Sequence, residues 1–270
     1  MSQIHQTAII DPKAQLGTNV EIGPYCVIGP NVILGDNVRL KSHVVIDGHT
    51  SIGQGCEIFP FASLGHAPQH FKYEGEPSQL LIGEGNIIRE HCQMHPGTKI
   101  GGMKTVIGNN GLFMASSHVG HDCIIGDNMI LAQNAALGGH VVVGDNVYFG
   151  AFSAAHQFVR IGHDAVIGGV TAVVGDVIPF GAVYGERGVL NGVNLVGMKR
   201  RGLDRETRQA VKQAYDLIFM GNGLFEDRLA LNCEEVIVKQ QKKAGRQAPL
   251  SLLGIVSCRF FLSGAVPIRT

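Results

Sequence analysis

The sequence predicts a mainly β solenoid, a stack of three-sided coils, followed by a C-terminal helical region. Large apolar residues recur at every sixth position through most of residues 4–173. Glycine accounts for 37 of the 270 residues, roughly twice ordinary usage, and tryptophan is absent. The 22 Lys+Arg residues balance the 22 Asp+Glu residues. This composition excludes a disordered chain and a nucleic-acid-binding protein driven by bulk positive charge.

The repeat begins at Ile4 and keeps its phase through Ile10, Leu16, Ile22, Ile28, Leu34, Leu40, Ile46, Ile52, Ile58 and Leu64. After interruptions it continues from Ile107 to Val173. A period of six fits neither a helix nor an ordinary alternating strand, but it suits short strands joined by corners, with three strands to a coil. Glycine and asparagine after the apolar residue, as at Gly126 and Asn128, supply tight corners. Nearly nine coils would stack to a height of about 40 Å.

The other elements follow in chain order. Loop insertions are predicted near 65–81 and 100–106, and the repeat decays after Pro179. We therefore divide the chain into a solenoid over 1–190 and a helical domain over 191–270. A helix is expected after Asp204, a suitable N-cap, because apolar residues follow at helical spacing. These residues are Val211, Ala214, Tyr215 and Ile218.

Further helices are predicted over about 224–243 and 250–263. The second is apolar, but Arg259 interrupts it and the span is short, so we expect a packed helix and no stable membrane insertion. The chain begins without a basic segment leading into an apolar one, and we expect a soluble cytoplasmic protein.

The cysteines are interpreted as core residues. There is no Cys-x-x-Cys pair, and four of the six occupy the small inward position of the repeat. These four are Cys26, Cys56, Cys92 and Cys123.

The histidines form a predicted cluster. His121, His140 and His156 fall on one side of three successive coils near one edge, with His118 close to the corner. Such a cluster suits either a zinc site or a general base with substrate-binding neighbours. The adjacent Asp122 favours the base, because a carboxylate can orient the ring and stabilise the imidazolium.

Four segments carry a specific resemblance. They are residues 117–123 (SHVGHDC), 137–141 (LGGHV), 154–158 (AAHQF) and 192–202 (GVNLVGMKRRG). Together they closely resemble the UDP-N-acetylglucosamine O-acyltransferase family of hexapeptide-repeat enzymes, over about residues 1–220. The resemblance implies a left-handed parallel β-helix followed by a C-terminal α-helical domain. It also implies a homotrimer with active sites between subunits.

The implied reaction transfers an (R)-3-hydroxyacyl chain from acyl carrier protein to the glucosamine 3-OH of UDP-N-acetylglucosamine, the first step of lipid A biosynthesis. By position His121 would be the base, Asp122 would orient it, and the Gly139 N–H would stabilise the oxyanion. The implied substrate-binding residues are Gln69, His70, Lys72, His118, His140, His156 and Gln157, with Asn194, Arg200 and Arg201. Asn194 and Arg200 would come from a neighbouring subunit, and no metal or small cofactor is implied.

Two features refine the expected substrates. Six cations between 199 and 212 suit a diphosphate sugar and an acidic carrier protein. They are Lys199, Arg200, Arg201, Arg205, Arg208 and Lys212. A second basic cluster, Lys239, Lys242, Lys243 and Arg246, is interpreted as a solvated face. Gly169 matches the position where family members measure acyl length, and glycine there implies a long chain of about fourteen carbons.

Two positions depart from the family pattern. His70 stands where aspartate is more usual, which leaves open a 3-amino sugar acceptor and amide formation. Val196 stands where some members carry glutamate. Four more hypotheses for the function stay open. They are the sister N-acyltransferase, which has an additional N-terminal domain, an acetyl-CoA-dependent acetyltransferase, a zinc hydro-lyase and a non-enzymatic scaffold.

Overall fold

The computed structural model describes residues 2–225 and Arg228. Its first 26 strands are short and follow one another around a coil. They are β1 (Gln3–Ile4), β2 (Ile9–Ile10), β3 (Gln15–Leu16), β4 (Glu21–Ile22), β5 (Val27–Ile28), β6 (Ile33–Leu34), β7 (Arg39–Leu40), β8 (Val45–Ile46), β9 (His49–Ile52), β10 (Glu57–Ile58), β11 (Ser63–Leu64), β12 (Gln79–Ile82), β13 (Ile87–Ile88), β14 (Gln93–Met94), β15 (Lys104–Ile107), β16 (Leu112–Phe113), β17 (His118–Val119), β18 (Ile124–Ile125), β19 (Ile130–Leu131), β20 (Ala136–Leu137), β21 (Val142–Val143), β22 (Tyr148–Phe149), β23 (Ala154–Ala155), β24 (Arg160–Ile161), β25 (Val166–Ile167) and β26 (Ala172–Val173).

Every third strand pairs in parallel with the next of its set, which produces three flat faces. Face A contains β1 and every third strand to β25, face B runs from β2 to β26, and face C runs from β3 to β24. The register between successive uninterrupted coils is 18 residues, as in Gln3 opposite Glu21. The predicted left-handed parallel β-helix is confirmed. The predicted insertions lie between β11 and β12 and between β14 and β15.

The core is the inward column of the repeat. It is a single cluster of buried Ile, Leu, Val, Phe, Met, Cys and Ala side chains running from Val20 to Val183. Cys26, Cys56, Cys92 and Cys123 are free and fully buried within it, which confirms their interpretation as core residues. Burial raises the pKa of the Cys123 thiol to about 12, because the thiolate would lose its hydration.

The corners use left-handed backbone conformations. Asparagine serves at most corners between faces C and A, which we call the C–A corner, because its short side chain tolerates a positive φ. These asparagines are Asn19, Asn37, Asn110, Asn128 and Asn146. The A–B corner carries Tyr25, His43, Phe61, His91, Ser116, Asn134, Phe152 and Val170. The B–C corner above the second insertion carries Asp122, His140 and Phe158.

The top of the prism is closed by other elements. Strand β27 (Gly181–Tyr184) pairs with β25, and β28 (Val189–Val193) pairs antiparallel with β27. Strand β28 spans the boundary predicted at residue 190, and the division into two domains stays a prediction. Helix α1 (Leu195–Arg200) and helix α2 (Arg205–Met220) follow. Their apolar side chains, including Met198 and Val211, pack with Phe180.

Helix α2 begins as predicted, with the Asp204 carboxylate accepting the Thr207 N–H. Its buried residues are the predicted Val211, Ala214, Tyr215 and Ile218. The helices predicted over 224–243 and 250–263, and the basic cluster from Lys239 to Arg246, lie outside the described residues apart from Leu224, Phe225 and Arg228. Across the described part of the chain, no helix is both long and apolar enough to cross a membrane.

Candidate active site

His121 and Asp122 form a buried pair at the B–C corner that follows β17. His121 Nδ1 lies 2.8 Å from Asp122 Oδ2, and the two side chains are 12% and 1% exposed. Asp122 adopts a left-handed φ of 60°, and its N–H donates to Thr105 Oγ1 at 2.8 Å. The pair is therefore fixed by the turn of the coil.

The Asp122 carboxylate is anchored from the chain segment below it. Thr98 N–H donates to Oδ1 at 2.9 Å, and Thr98 Oγ1 donates to Oδ2 at 2.7 Å. With His121 also bonded, the carboxylate has no freedom to rotate. It thus holds the imidazole by Nδ1, while Nε2 has no hydrogen-bond partner among the described residues.

Two further histidines surround His121. The His140 ring lies one coil above, 5.0 Å from the His121 ring at 89°, and His140 Nε2 is 3.9 Å from Asp122 Oδ2. Phe158 stacks on His140 at 4.4 Å. His70, from the loop after β11, meets the His121 ring edge-on at 4.9 Å. Burial lowers the pKa of His140, outweighing the opposing effect of Asp122.

Gly139 approaches the His121 ring at close range. A Cβ at residue 139 would lie 2.5 Å from His121 Cε1, so this position admits only glycine while the ring keeps its place. The Gly139 N–H has no hydrogen-bond acceptor among the described residues. It is a free donor beside the imidazole.

His118 and His95 form a drier pair next to the cluster. Their rings are 5.2 Å apart, and burial lowers the pKa of His118 to about 4 and also lowers that of His95. Both are therefore neutral near pH 7. His95 Nδ1 contacts the His66 carbonyl at 3.2 Å, while its buried Nε2 has no partner among the described residues. The sequence reasoning missed His95, although the repeat places it one coil below Gly120.

The loop over 66–78 carries three predicted site residues. Glu76 ties it down, since Oε1 accepts the Lys99 N–H at 2.8 Å and Oε2 accepts the Glu74 N–H at 2.9 Å. The loop brings His70 to His121 but leaves Gln69 and Lys72 exposed, outside the histidine cluster.

His156 and Gln157 lie one coil above Gly138. Both are exposed, and His156 Nδ1 is 3.2 Å from its neighbour's carbonyl oxygen. The structure places them on the same side as His121, without joining them to the cluster.

Asn194, Arg200, Arg201 and Gly169 stand apart from His121 within one chain. Asn194 caps α1, with Oδ1 accepting the Gly197 N–H at 2.9 Å. Gly169 is exposed at the A–B corner. Val196 is 63% exposed on α1. Of the six predicted cations, three have partners among the described residues: Arg201 pairs with Asp164, Arg208 donates to the Asp204 carbonyl and Lys212 pairs with Asp216.

The donor atoms of His121, Asp122 and His140 lie within 4.8 Å of one another, close enough to suit a divalent cation. Asp122 Oδ2, however, is already bonded to Thr98 and His121. The arrangement therefore fits an oriented general base more directly than a zinc site.

Comparisons with known proteins agree with this geometry. Residues 176–247 match the family model described as "Udp N-acetylglucosamine O-acyltransferase; Domain 2", and residues 1–35 and 13–48 match the "Bacterial transferase hexapeptide (six repeats)" model. A relative in Caulobacter vibrioides is 54% identical over 226 residues, covering 84% of this chain and 86% of the relative. One in Anaeromyxobacter sp. is 50% identical over 224 residues, covering 83% and 87%. Both are named acyl-(acyl-carrier-protein)–UDP-N-acetylglucosamine O-acyltransferase.

Solved structures give the same result. LpxA from Acinetobacter baumannii superposes with a TM-score of 0.86 at 41% identity, covering 96% of this chain and 97% of that one. The UDP-N-acetylglucosamine acyltransferase from Campylobacter jejuni superposes with a TM-score of 0.87 at 31% identity, covering 99% and 100%. The chain is therefore an acyltransferase of the UDP-N-acetylglucosamine O-acyltransferase family.

Proposed function

We propose that this protein transfers an (R)-3-hydroxyacyl group from acyl carrier protein to the glucosamine 3-OH of UDP-N-acetylglucosamine, in the cytoplasm, as the first step of lipid A biosynthesis. The observation that carries the proposal is the buried His121–Asp122 pair, 2.8 Å apart, with the free Gly139 N–H beside it. The names of the relatives supply the substrate class.

In the proposed reaction, His121 Nε2 removes the proton from the sugar 3-hydroxyl as its oxygen attacks the thioester carbonyl carbon. The new C–O bond forms, and the oxyanion of the tetrahedral intermediate accepts the Gly139 N–H. The intermediate collapses, the C–S bond breaks, and the carrier thiolate takes the proton from the His121 imidazolium. Asp122 stabilises that imidazolium throughout.

The histidines around the base provide the polar walls of the proposed sugar site. His70 and His140 flank His121 at 4.9 and 5.0 Å, and neutral His118 can hydrogen-bond without repelling the imidazolium. Gln69, Lys72, His156 and Gln157 extend the site on either side, and Asn194 and Arg200 serve the nucleotide from a neighbouring subunit, with Arg201 beside them. His70 is also the residue that bears on the acceptor, so turnover of the 3-hydroxy and 3-amino UDP-sugars should be compared directly.

The outer faces support the proposed homotrimer. On face C the outward residues Leu81, Val106, Ile124 and Val142 form an aliphatic column in register. On face A the matching column is Ile87, Leu112, Ile130, Tyr148 and Val166. Apolar columns of this kind are typical of protein interfaces. Packing face A of one copy on face C of the next buries both columns in all three copies.

This arrangement also completes the site. Faces A and C share the C–A corner, so that corner points to the three-fold axis. The A–B corner of one subunit then lies beside the B–C corner of its neighbour, which carries His121. Gly169 belongs to that A–B corner, and a Cβ there would meet only the Ala151 backbone, at 3.2 Å or more. The position is thus open for a long acyl chain of about fourteen carbons.

The test is an acyl-transfer assay in chelator-treated buffer with UDP-N-acetylglucosamine and 3-hydroxymyristoyl carrier protein. We expect product from the parent protein, none above background from His121→Ala, and parental activity from the control His5→Ala, an exposed residue before β2, five coils below β17. Loss of transfer must occur with the oligomer intact. If the parent protein gives no product with either UDP-sugar, the acyltransfer proposal is wrong, and bound zinc should then be quantified per subunit.

A further inference from the structure

Helix α1 is held at both ends by one buried residue, Asp164. At the N-terminal end, the Asn194 amide donates to the Asp164 carbonyl at 2.9 Å. At the C-terminal end, Arg201, the C-cap residue, places Nη2 2.5 Å from Asp164 Oδ1. The two groups form an ion pair, but they are not oriented as the donor and acceptor of a hydrogen bond. Asp164 is only 6% exposed, so its carboxylate has lost hydration, and the contacts with its partners offset that loss.

The prism holds Asp164 firmly in turn. It occupies the C–A corner with a φ of 64°, and its N–H donates to the Asp145 carbonyl one coil below at 2.8 Å. His163 Nδ1 lies 2.6 Å from Asp164 Oδ2, and the His163 ring packs edge-on against Phe180 at 5.0 Å. The carboxylate is therefore a rigid point on which α1 is mounted.

Asp164 also breaks the pattern of its own corner. The three coils below place Asn110, Asn128 and Asn146 there, and asparagine satisfies the same left-handed backbone. The corner itself does not require a negative charge. The charge serves Arg201 and His163, the two side chains that contact the carboxylate.

The two arginines of α1 consequently differ. Arg201 has its charge balanced by Asp164. Arg200, adjacent to it, is exposed and forms no ion pair within residues 2–225. An uncompensated guanidinium is the better ligand for a diphosphate.

We infer that Asp164 is a positioning residue for the nucleotide: by clamping Asn194 and Arg201 it fixes α1 so that Arg200 meets the diphosphate of the UDP-sugar, with Arg201 as an anchor. This inference rests on the proposed function. Asp164 should therefore affect the affinity for the nucleotide and should not affect the rate of the acyl-transfer step.

The test is a double-variant cycle with Asp164→Asn and Arg200→Gln. Asparagine keeps the backbone of the corner and removes the charge. We expect Asp164→Asn to raise the KM for the UDP-sugar about fivefold or more, with kcat and the KM for the acyl carrier protein within about twofold of the parent. In the Arg200→Gln background, Asp164→Asn should have no further effect, because the residue it positions is gone. Asp176→Asn, which breaks the separate Arg160–Asp176 pair, is the matched control and should change neither constant.

Direct titration of UDP into each protein separates this inference from the proposed function. The clamp is supported if Asp164→Asn weakens UDP binding in the parent protein but does not weaken it further in the Arg200→Gln protein. This result supports the clamp even if acyl transfer is not observed. Equal UDP affinities of parent and Asp164→Asn overturn it while leaving an active parent enzyme unaffected. Additive losses in the double variant, or a fall in melting temperature with kcat and KM changing together, show a general structural role and also overturn it. A parent protein that transfers no acyl chain and binds no UDP overturns both proposals.

Discussion

The His121 ring occupies a space that is available only because the backbone of the next coil carries no side chain there. Gly139 is the residue responsible, because a Cβ there would fall 2.5 Å from Cε1 of the ring. We expect Gly139→Ala to displace the imidazole and to lower kcat about a hundredfold or more, since in the proposed reaction proton transfer and oxyanion stabilisation depend on the same few atoms. Steady-state kinetics of the folded variant are the measurement.

Gly175→Ala is the control for that substitution. A Cβ at residue 175 would have no atom within 4 Å, and the backbone there has no positive φ, so alanine should be accepted with parental kcat. Near-parental activity in Gly139→Ala would show that the ring has room to move and that the close approach is incidental.

His118 makes the stability of the fold dependent on pH. Burial lowers its pKa from the ordinary value of 6.5 to about 4. Between these two pH values the unfolded chain binds a proton at residue 118 that the folded chain does not bind. The free energy of unfolding therefore decreases as the pH falls from about 6.5 to 4. We expect His118→Gln to recover about 1–3 kcal/mol of that loss, a range reduced for the partial exposure of the ring.

Urea unfolding at fixed protein concentration, from pH 4 to pH 8, measures this effect. Above pH 6.5 the parent and His118→Gln should show the same dependence on pH, since the histidine is neutral in both states. A variant that loses stability as steeply as the parent between pH 6.5 and 4 would place the acid sensitivity elsewhere.

Among the elements, Asn86 is a buried polar side chain that joins successive coils. Asn86 is fully buried at an inward position where neighbouring repeats carry cysteine. Its Nδ2 donates to the carbonyls of Gly83 and Gly108 at 2.9 Å, and its Oδ1 accepts the Gly111 N–H at 2.7 Å. It thereby satisfies backbone groups of two coils where the repeat resumes after the first insertion.

Replacing Asn86 with valine should leave the Gly108 carbonyl and the Gly111 N–H unpaired inside the prism, and the Gly83 carbonyl with only the Cys56 thiol as a partner. We expect a loss of about 3 kcal/mol or more in the free energy of unfolding, because each buried unsatisfied group costs about 1–3 kcal/mol. Chemical unfolding monitored by circular dichroism is the measurement. Cys26→Val, which gives an equivalent inward position the side chain that Val20 and Val32 supply in the adjacent repeats, should cost less than about 1.5 kcal/mol. Equal losses in the two variants would contradict the role given to Asn86.

Most elements could be predicted because their pattern is periodic. The six-residue period located the strands and the buried cysteines, and the helical spacing located the buried side of α2. Helix α1 was not predicted, because six residues with Gly197 inside carry no period. The antiparallel pairing of β27 with β28 could not be predicted either, because the sequence of β28 does not follow the six-residue repeat.

The site was predictable only where it follows the coils. One coil of separation brings His140 to His121, as the repeat indicates. His70 reaches the same ring through a loop whose path depends on Glu76 and Lys99, so spacing along the chain could not place it. His156 lies on the same side of the prism as His121 but does not contact the His121 ring. The repeat determines the face and the height of a residue, but not the direction of its side chain.

For the whole molecule, the distribution of apolar residues over the three faces governs assembly. The columns on faces A and C predict that Ile124→Lys, in the middle of the face C column and 50% exposed, dissociates the proposed trimer. A buried unpaired charge repeated three times around the axis would be costly. Activity should fall as the trimer dissociates, because the proposed site lies between subunits.

Light scattering coupled to size exclusion measures the mass. We expect three times the 28.8 kDa chain for the parent and a single chain for Ile124→Lys. Val27→Lys, 39% exposed on face B, is the matched control and should remain trimeric. Dissociation by Val27→Lys alone would move the interface to face B.

The 18-residue register of the coils also restricts how the gene for such a chain can change length. Loss or gain of a single codon within a strand would displace the inward residues of that strand from their columns, unless a corner absorbs the change. Duplication of eighteen codons would instead add one complete layer, raising the prism by about 4.8 Å and leaving all other layers intact. Surviving length variation should therefore come in whole layers, or as excursions at a corner such as the one that delivers His70.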